Sequence, residues 1–146
     1  MLIVVLVFSL VGILLTSFLT ITHYTGMPSE ACPKHIDGMS SCDIVNQSMY
    51  AELLGIPVAL LGLFVYATFV ILAYHILSGK PLFGFSSYQL HQGLAALSTI
   101  SFLFALYLVY VLYFILKTVC VYCLASHSIT ASIFVLSTLS LLCVKK

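Results

Sequence analysis

Four stretches of this sequence contain no Asp, Glu, Lys or Arg: residues 1–29, 53–79, 81–116 and 118–144. A helix crosses the hydrocarbon core of a bilayer in about 20 predominantly apolar residues. Each stretch is therefore long enough to cross once. In lipid the backbone must satisfy its own hydrogen bonds, and a helix does so within a single segment. The expected fold is an all-α integral membrane protein, a four-transmembrane-helix bundle with spans at about 2–21, 56–77, 89–114 and 124–144. Composition removes the alternatives. Of 146 residues, 62% are hydrophobic and 6% charged, whereas a soluble domain carries about 25% charged residues. Too few polar groups exist to coat a water-facing globule, and so apolar a chain is not disordered. A net charge of +1, with no Arg and no basic patch, argues against nucleic-acid binding.

The first span is expected to be a retained helix. Its apolar run is about 20 residues, longer than the roughly 7–15 of a signal peptide, and neither a basic start nor a small-residue cleavage site flanks it. Pro57 suits the first turn of the second span. Gly55, Ala59 and Gly62 put small residues on one side of that span, where a neighbouring backbone can approach closely. The run Ser78-Gly79-Lys80-Pro81 breaks the chain after it. Four spans put both termini on one side, together with Lys80, Lys145 and Lys146, while Lys34 and Lys117 lie on the other. Counting Lys alone gives three against two, so the termini are expected to be cytoplasmic in a multi-pass protein of the cell membrane. The loop 23–55 then faces outward as the one sizeable polar piece, all as a single 1–146 domain.

Five cysteines carry most of the functional signal. Cys32 and Cys42 lie in the outward loop. Cys120 and Cys123 form Cys-Val-Tyr-Cys at the mouth of the fourth span, and Cys143 lies alone near its other end. Taken separately, each has an ordinary reading: a loop staple for Cys32 and Cys42, two unrelated helix residues for Cys120 and Cys123, and a small buried hydrophobe for Cys143. A Cys-x-x-Cys that opens a helix on the oxidising face, opposite a second pair, is a stronger signal. With Thr118 as N-cap, Cys120 would occupy the second helical position. There the positive end of the helix dipole favours a thiolate, the species that attacks disulfides, and Lys117 adds to the effect. Cys123 would lie against the acyl region, where a lipid-soluble oxidant is found.

The stretch Asp43–Leu54 carries Val45, Met49 and Leu53 every four residues. This pattern predicts a short interfacial half-helix between spans 1 and 2, stopped by Gly55, that covers the bundle and brings Cys42 near Cys120. Which sulfurs pair is left open by the sequence.

Taken together these residues resemble a known family. Two loop cysteines, then Cys-Asp-x-Val-x-x-Ser-x-Tyr-Ala-x-x-x-Gly-Ile-Pro from Cys42 to Pro57, then three spans with Cys-x-x-Cys opening the last, are similar to the vitamin K epoxide reductase family in its prokaryotic disulfide-forming branch. The segment Leu106–Cys123 resembles that family's third span and active site. The resemblance implies a membrane thiol:quinone oxidoreductase. Cys32 and Cys42 would take electrons from a thioredoxin-like carrier of the DsbA type, Cys42 would exchange with Cys120, and Cys123 would pass electrons to a quinone of the ubiquinone or menaquinone type. No fused thioredoxin domain is expected after Lys146, and the carrier is expected to be a separate protein. His127 stands where the vertebrate branch has a tyrosine that contacts the quinone, and residues 56–78 lack that branch's asparagine, Val58 standing in its place. Plain quinone reduction is thus expected ahead of the alternative, reduction of a vitamin K epoxide. Ser48 matches the family's serine on the half-helix. It is expected, with His127, near the quinone.

Other readings explain less. His23, His75, His91 and His127 lie in pairs toward the two membrane faces and suggest a bis-histidine haem bundle, but that leaves the paired cysteines idle. Four thiolates could surround a zinc ion, but on an oxidising face they tend to close into disulfides, so no metal site is expected. A tetraspan with purely structural disulfides is the remaining alternative. The nine tyrosines and ten phenylalanines are expected in packing and in the interfacial belt.

Overall fold

The computed structural model of the chain describes residues 1–26, 32, 40–80 and 84–145. Lys34, Pro81 and Lys146, on which part of the topology argument rests, lie outside the described residues. Four long helices form: α1 (Leu2–Thr25), α3 (Val58–Ser78), α4 (Ser87–Tyr110) and α5 (Val121–Lys145). A short helix, α2 (Ser41–Asn46), lies between the first two. All four long helices are long and apolar enough to cross a membrane. Each packs against two neighbours in the cyclic order α1, α3, α4, α5, which closes a bundle. Lipid-ready side chains ring the outside, with Ile3, Phe64, Ile100, Leu103 and Phe114 all exposed.

Helix ends follow local chemistry. Gly26 and Gly79 close α1 and α3 in the left-handed conformation that glycine adopts without strain, with φ 64° and 63°. Ser86 opens α4 through a capping box with Gln89. The third span continues past α4 in a π-helical turn over Val111–Ile115. Leu116 N–H then reaches back to Val111 O, and Thr118 N–H to Leu112 O. Lys117 follows at φ 49°. This turn swings the chain from α4 into α5.

In lipid, apolar burial does little to hold helices together, and close packing and internal hydrogen bonds carry more of the load. Small residues let α1 and α3 approach at two levels. A Cβ on Gly12 would sit 2.5 Å from ring atoms of Tyr66, and one on Gly62 would sit 3.1 Å from Thr16 Cγ2. Many helix hydroxyls satisfy themselves on backbone carbonyls, as Ser9 does on Val5 O and Thr16 on Gly12 O. The core fills the half of the bundle nearer the N-terminus, around Val5, Phe69, Leu94 and Ile133, each with no exposed surface.

The expected half-helix is shorter than its periodicity suggests. It ends at Asn46. His23 Nδ1 takes Asn46 O at 2.7 Å, and Ser48 Oγ donates to Val45 O at 2.8 Å. These are carbonyls that a longer helix would need for its next turn. Met49–Ala51 forms one 3-10 turn, and Glu52–Leu53 (β1) pairs antiparallel with Ile56–Pro57 (β2). Leu54 and Gly55 make the two-residue hairpin turn, both at positive φ (56° and 80°). Gly55 therefore turns a hairpin here and caps no helix. Met49 and Leu53, expected to share an apolar helix face with Val45, lie instead on the 3-10 turn and on β1, and both are exposed.

Candidate functional site

The chemistry-bearing residues converge on the end of the bundle away from the chain's N-terminus. Asn46 rivets α2 to α1, its side-chain amide donating to Leu19 O at 3.0 Å and to Thr22 Oγ1 at 3.1 Å. His23 holds the same junction from the other side. Its Nε2 lies 3.3 Å from a Glu52 oxygen while Nδ1 meets Asn46 O. At the start of α2, Ser40 is the N-cap. Its oxygen accepts Asp43 N–H at 3.2 Å, and its hydroxyl donates to Asp43 Oδ2 at 2.6 Å. Cys42 is therefore carried on a short, firmly tied element and has no exposed surface.

Cys120 occupies a different position from the one its sequence suggests. Helix α5 begins at Val121, and Cys120, not Thr118, is its cap. Leu124 N–H bonds to Cys120 O, and Cys123 N–H points to Cys120 Sγ at 3.2 Å. The sulfur thus does what a Ser or Asp oxygen does at an N-cap. Thr118 spends its hydroxyl on Leu116 O.

Two disulfides are closed, Cys32–Cys42 with a Cα separation of 5.9 Å and Cys120–Cys123 with 5.2 Å. Cys32, Cys42 and Cys120 share one buried cluster with Leu112, and Cys123 packs against it. Cys143 is free and exposed, at the far end of α5. Among the described residues, no three His, Cys, Asp or Glu side chains gather as a metal-binding group.

Beneath the cysteines lies a cavity of about 180 Å³ inside the four long helices. Its wall is chiefly apolar, with Leu19, Val65, Phe104, Leu108 and Leu112, and it includes Cys123, His127 and Ser48. A cavity of about 150 Å³ holds a benzene ring, so there is room here for a ring head. His127 lies one turn after Cys123, and its ring has no hydrogen bond among the described residues. Ser48 lines the cavity but donates its proton to Val45 O. The residues around the cavity fit a quinone: an apolar container, a sulfur in the wall and an imidazole with no hydrogen-bond partner among the described residues.

A sequence profile of the vitamin K epoxide reductase family matches residues 3–138. The chain belongs to that family. It is accordingly a multi-pass membrane oxidoreductase with a helical bundle fold. For this family member, sequence reasoning missed two residues at the site. Asn46 lay inside a stretch read for its apolar period. Tyr66 lay in a run where a tyrosine passes for packing, yet its hydroxyl bonds to Ser126 O at 2.7 Å and Thr130 Oγ1 at 2.8 Å.

Proposed function

We propose that this protein is a membrane thiol:quinone oxidoreductase that makes disulfides for a separate thioredoxin-like carrier of the DsbA type. The observation that carries this reading is the position of the two closed cysteine pairs, in one buried cluster at the edge of an apolar cavity whose wall contains Cys123. One pair lies on the loop side and one at a helix start, so electrons have a two-stage path from water toward lipid.

The steps balance as two consecutive disulfide exchanges. The carrier's dithiol reduces Cys32–Cys42 and leaves as a disulfide. Cys42, as thiolate, attacks the Cys120 sulfur, which breaks Cys120–Cys123 and releases Cys123 as thiolate. Cys32 then attacks Cys42, which re-forms the outer disulfide and frees Cys120. The inner pair now holds two electrons and the outer pair is restored. A thiolate at Cys120 is favoured by the Cys123 N–H that already points to its sulfur and by the N-terminal end of α5. A quinone of the ubiquinone or menaquinone type supplies a two-electron, two-proton sink. Electrons leave the chain at Cys123 as Cys120 closes on it again. His127 on the same wall holds a proton for the acceptor's oxygen.

The alternative, reduction of a vitamin K epoxide, has less support. His127 replaces the tyrosine and Val58 the asparagine of the vertebrate branch. The loop is taken to face outward from the cell membrane, with both termini cytoplasmic. That orientation places the outer pair where a secreted carrier can reach it.

The test uses the purified protein in lipid nanodiscs with a reduced thioredoxin-like carrier and a short-tailed quinone. Quinol is expected to appear at one equivalent per carrier disulfide formed. Carrier oxidation without quinol, or no oxidation at all, overturns the assignment. A vitamin K epoxide supplied in place of the quinone is expected to give no turnover with the same carrier.

A further inference from the structure

The cavity has a built floor. On α3 its lining residues end inward at Tyr66, and on α5 they end at Thr130. These two side chains touch each other through Tyr66 Oη and Thr130 Oγ1 at 2.8 Å. Tyr66 lies eight residues into α3, about 12 Å along the helix axis at ~1.5 Å per residue. Below it Tyr66 is backed by the core: it meets Phe69 edge-on with ring centroids 6.3 Å apart and belongs to the same core cluster as Phe69 and Ile133. Helices α3 and α5 lie diagonally across the bundle, and Tyr66 spans the gap between them.

Two contacts fix that ring. Its hydroxyl has the Ser126 carbonyl as acceptor at 2.7 Å, so the proton is already committed and Tyr66 is not a proton donor to a ligand. Its ring lies against Gly12 of α1, where a Cβ would come within 2.5 Å of Cδ1 and Cε1. Only a glycine at that position lets the ring sit so far back toward α1. Ser126 in turn donates to Cys123 O at 2.8 Å, so the brace ends in the turn that carries Cys123 and His127.

We propose that Tyr66, recessed on Gly12 and pinned to α5, is the specificity-determining floor of the cavity, and that it sets how large a quinone head the site accepts. The inference rests on the quinone reading of the cavity and deepens it. Removing the ring extends the cavity inward and favours a two-ring head over a one-ring head. Adding a methyl at Gly12 displaces the ring out of its recess and favours the smaller head.

The test compares a short-tailed benzoquinone with a short-tailed naphthoquinone on the full chain in nanodiscs. Binding is read from the ligand-dependent rise in unfolding temperature, and KM is measured alongside. In Tyr66→Ala, or in Tyr66→Leu should the alanine variant fail to fold, the ratio of affinities is expected to move about tenfold toward the two-ring head, the scale on which pockets discriminate small changes of size. Gly12→Ala is expected to move it the other way. Tyr66→Phe keeps the ring and is expected to hold the wild-type ratio. A ratio unchanged in the alanine or leucine variant overturns the floor while leaving the quinone assignment intact. Wild-type protein that neither binds nor reduces either quinone overturns the assignment, and the floor with it.

Discussion

The two cysteine pairs are built by different means. Cys120 and Cys123 are three residues apart, and the start of a single helix sets their geometry. The N-cap sulfur and the N–H it accepts belong to the same turn. Cys32 and Cys42 are ten residues apart, and Cys42 is held by contacts between elements: Asn46 on α1, His23 on Asn46 and Glu52, and Ser40 at the head of α2. The inner pair is thus a local structure and the outer pair a tertiary one. Damage to the inner pair should stop all chemistry, whereas damage to the outer pair or its tether should stop only the chemistry that enters through it.

The largest effect tests the first half of that contrast. Cys120→Ala or Cys123→Ala removes a sulfur that the proposed relay needs. Turnover with the protein carrier and with a small membrane-permeable dithiol should both fall by about a thousandfold or more, the scale for losing a nucleophile. Quinol formation followed by absorbance checks this. Near-normal rates with either reductant would break the assignment of the inner pair.

Cys32→Ala and Cys42→Ala test the second half. Carrier-driven turnover should fall about a hundredfold or more, because two-stage exchange needs both sulfurs. The small dithiol, which reduces the inner pair directly, should still drive quinol formation. Equal loss with both reductants would mean that the outer pair serves only to staple the cap.

His127 lies on the inner side of the comparison. Replacing it by Phe keeps the cavity wall and removes the neutral hydrogen bond proposed to the quinone, worth about 0.5–1.5 kcal/mol. The KM for quinone should rise by up to about tenfold, equally for both reductants. A change confined to the carrier would move His127 to the outer pathway.

How much of this could be read in advance follows the same line. The spans were legible because Glu52, Lys80 and Lys117 interrupt otherwise uncharged runs, and the helices found differ from the expected spans only by a few residues at their ends. The inner pair was legible because Cys-Val-Tyr-Cys is a local motif, although the cap fell on Cys120. A sulfur accepting Cys123 N–H is not among the usual capping signals. The outer half read worse. Val45, Met49 and Leu53 fit a helical period, but His23, some twenty residues earlier, takes the Asn46 carbonyl and ends the helix. Nothing near Asn46 in sequence announces that. Tyr66 was hidden for the same reason, since its partners Gly12, Ser126 and Thr130 lie on other helices.

Asn46→Ala cuts the tether without touching a sulfur. It removes the bonds to Leu19 O and Thr22 Oγ1, for a cost of about 1–3 kcal/mol at a part-buried site. Chemical denaturation should show that loss. The carrier's kcat/KM should drop severalfold, while turnover with the small dithiol stays level. Equal slowing with both reductants would show that the tether supports the whole bundle, and the outer pair would then be less separable from it than its construction implies.

Cys143 supplies the smallest expected effect. It is free and exposed at the end of α5 opposite the other pair. A serine there has an available partner in the carbonyl four residues back. Ser128 and Ser132 on the same helix already donate to Leu124 O and Ser128 O in this way, each at 2.9 Å. Cys143→Ser should therefore leave stability and turnover with either reductant unchanged, within the roughly ±0.5 kcal/mol typical of surface substitutions. The same variant also makes thiol counting cleaner, because every remaining sulfur then belongs to one pair or the other. Alkylation of the carrier-reduced protein should find the two electrons distributed between those pairs alone, and a change in the labelling of those four cysteines on going from wild type to Cys143→Ser would contradict a relay confined to them.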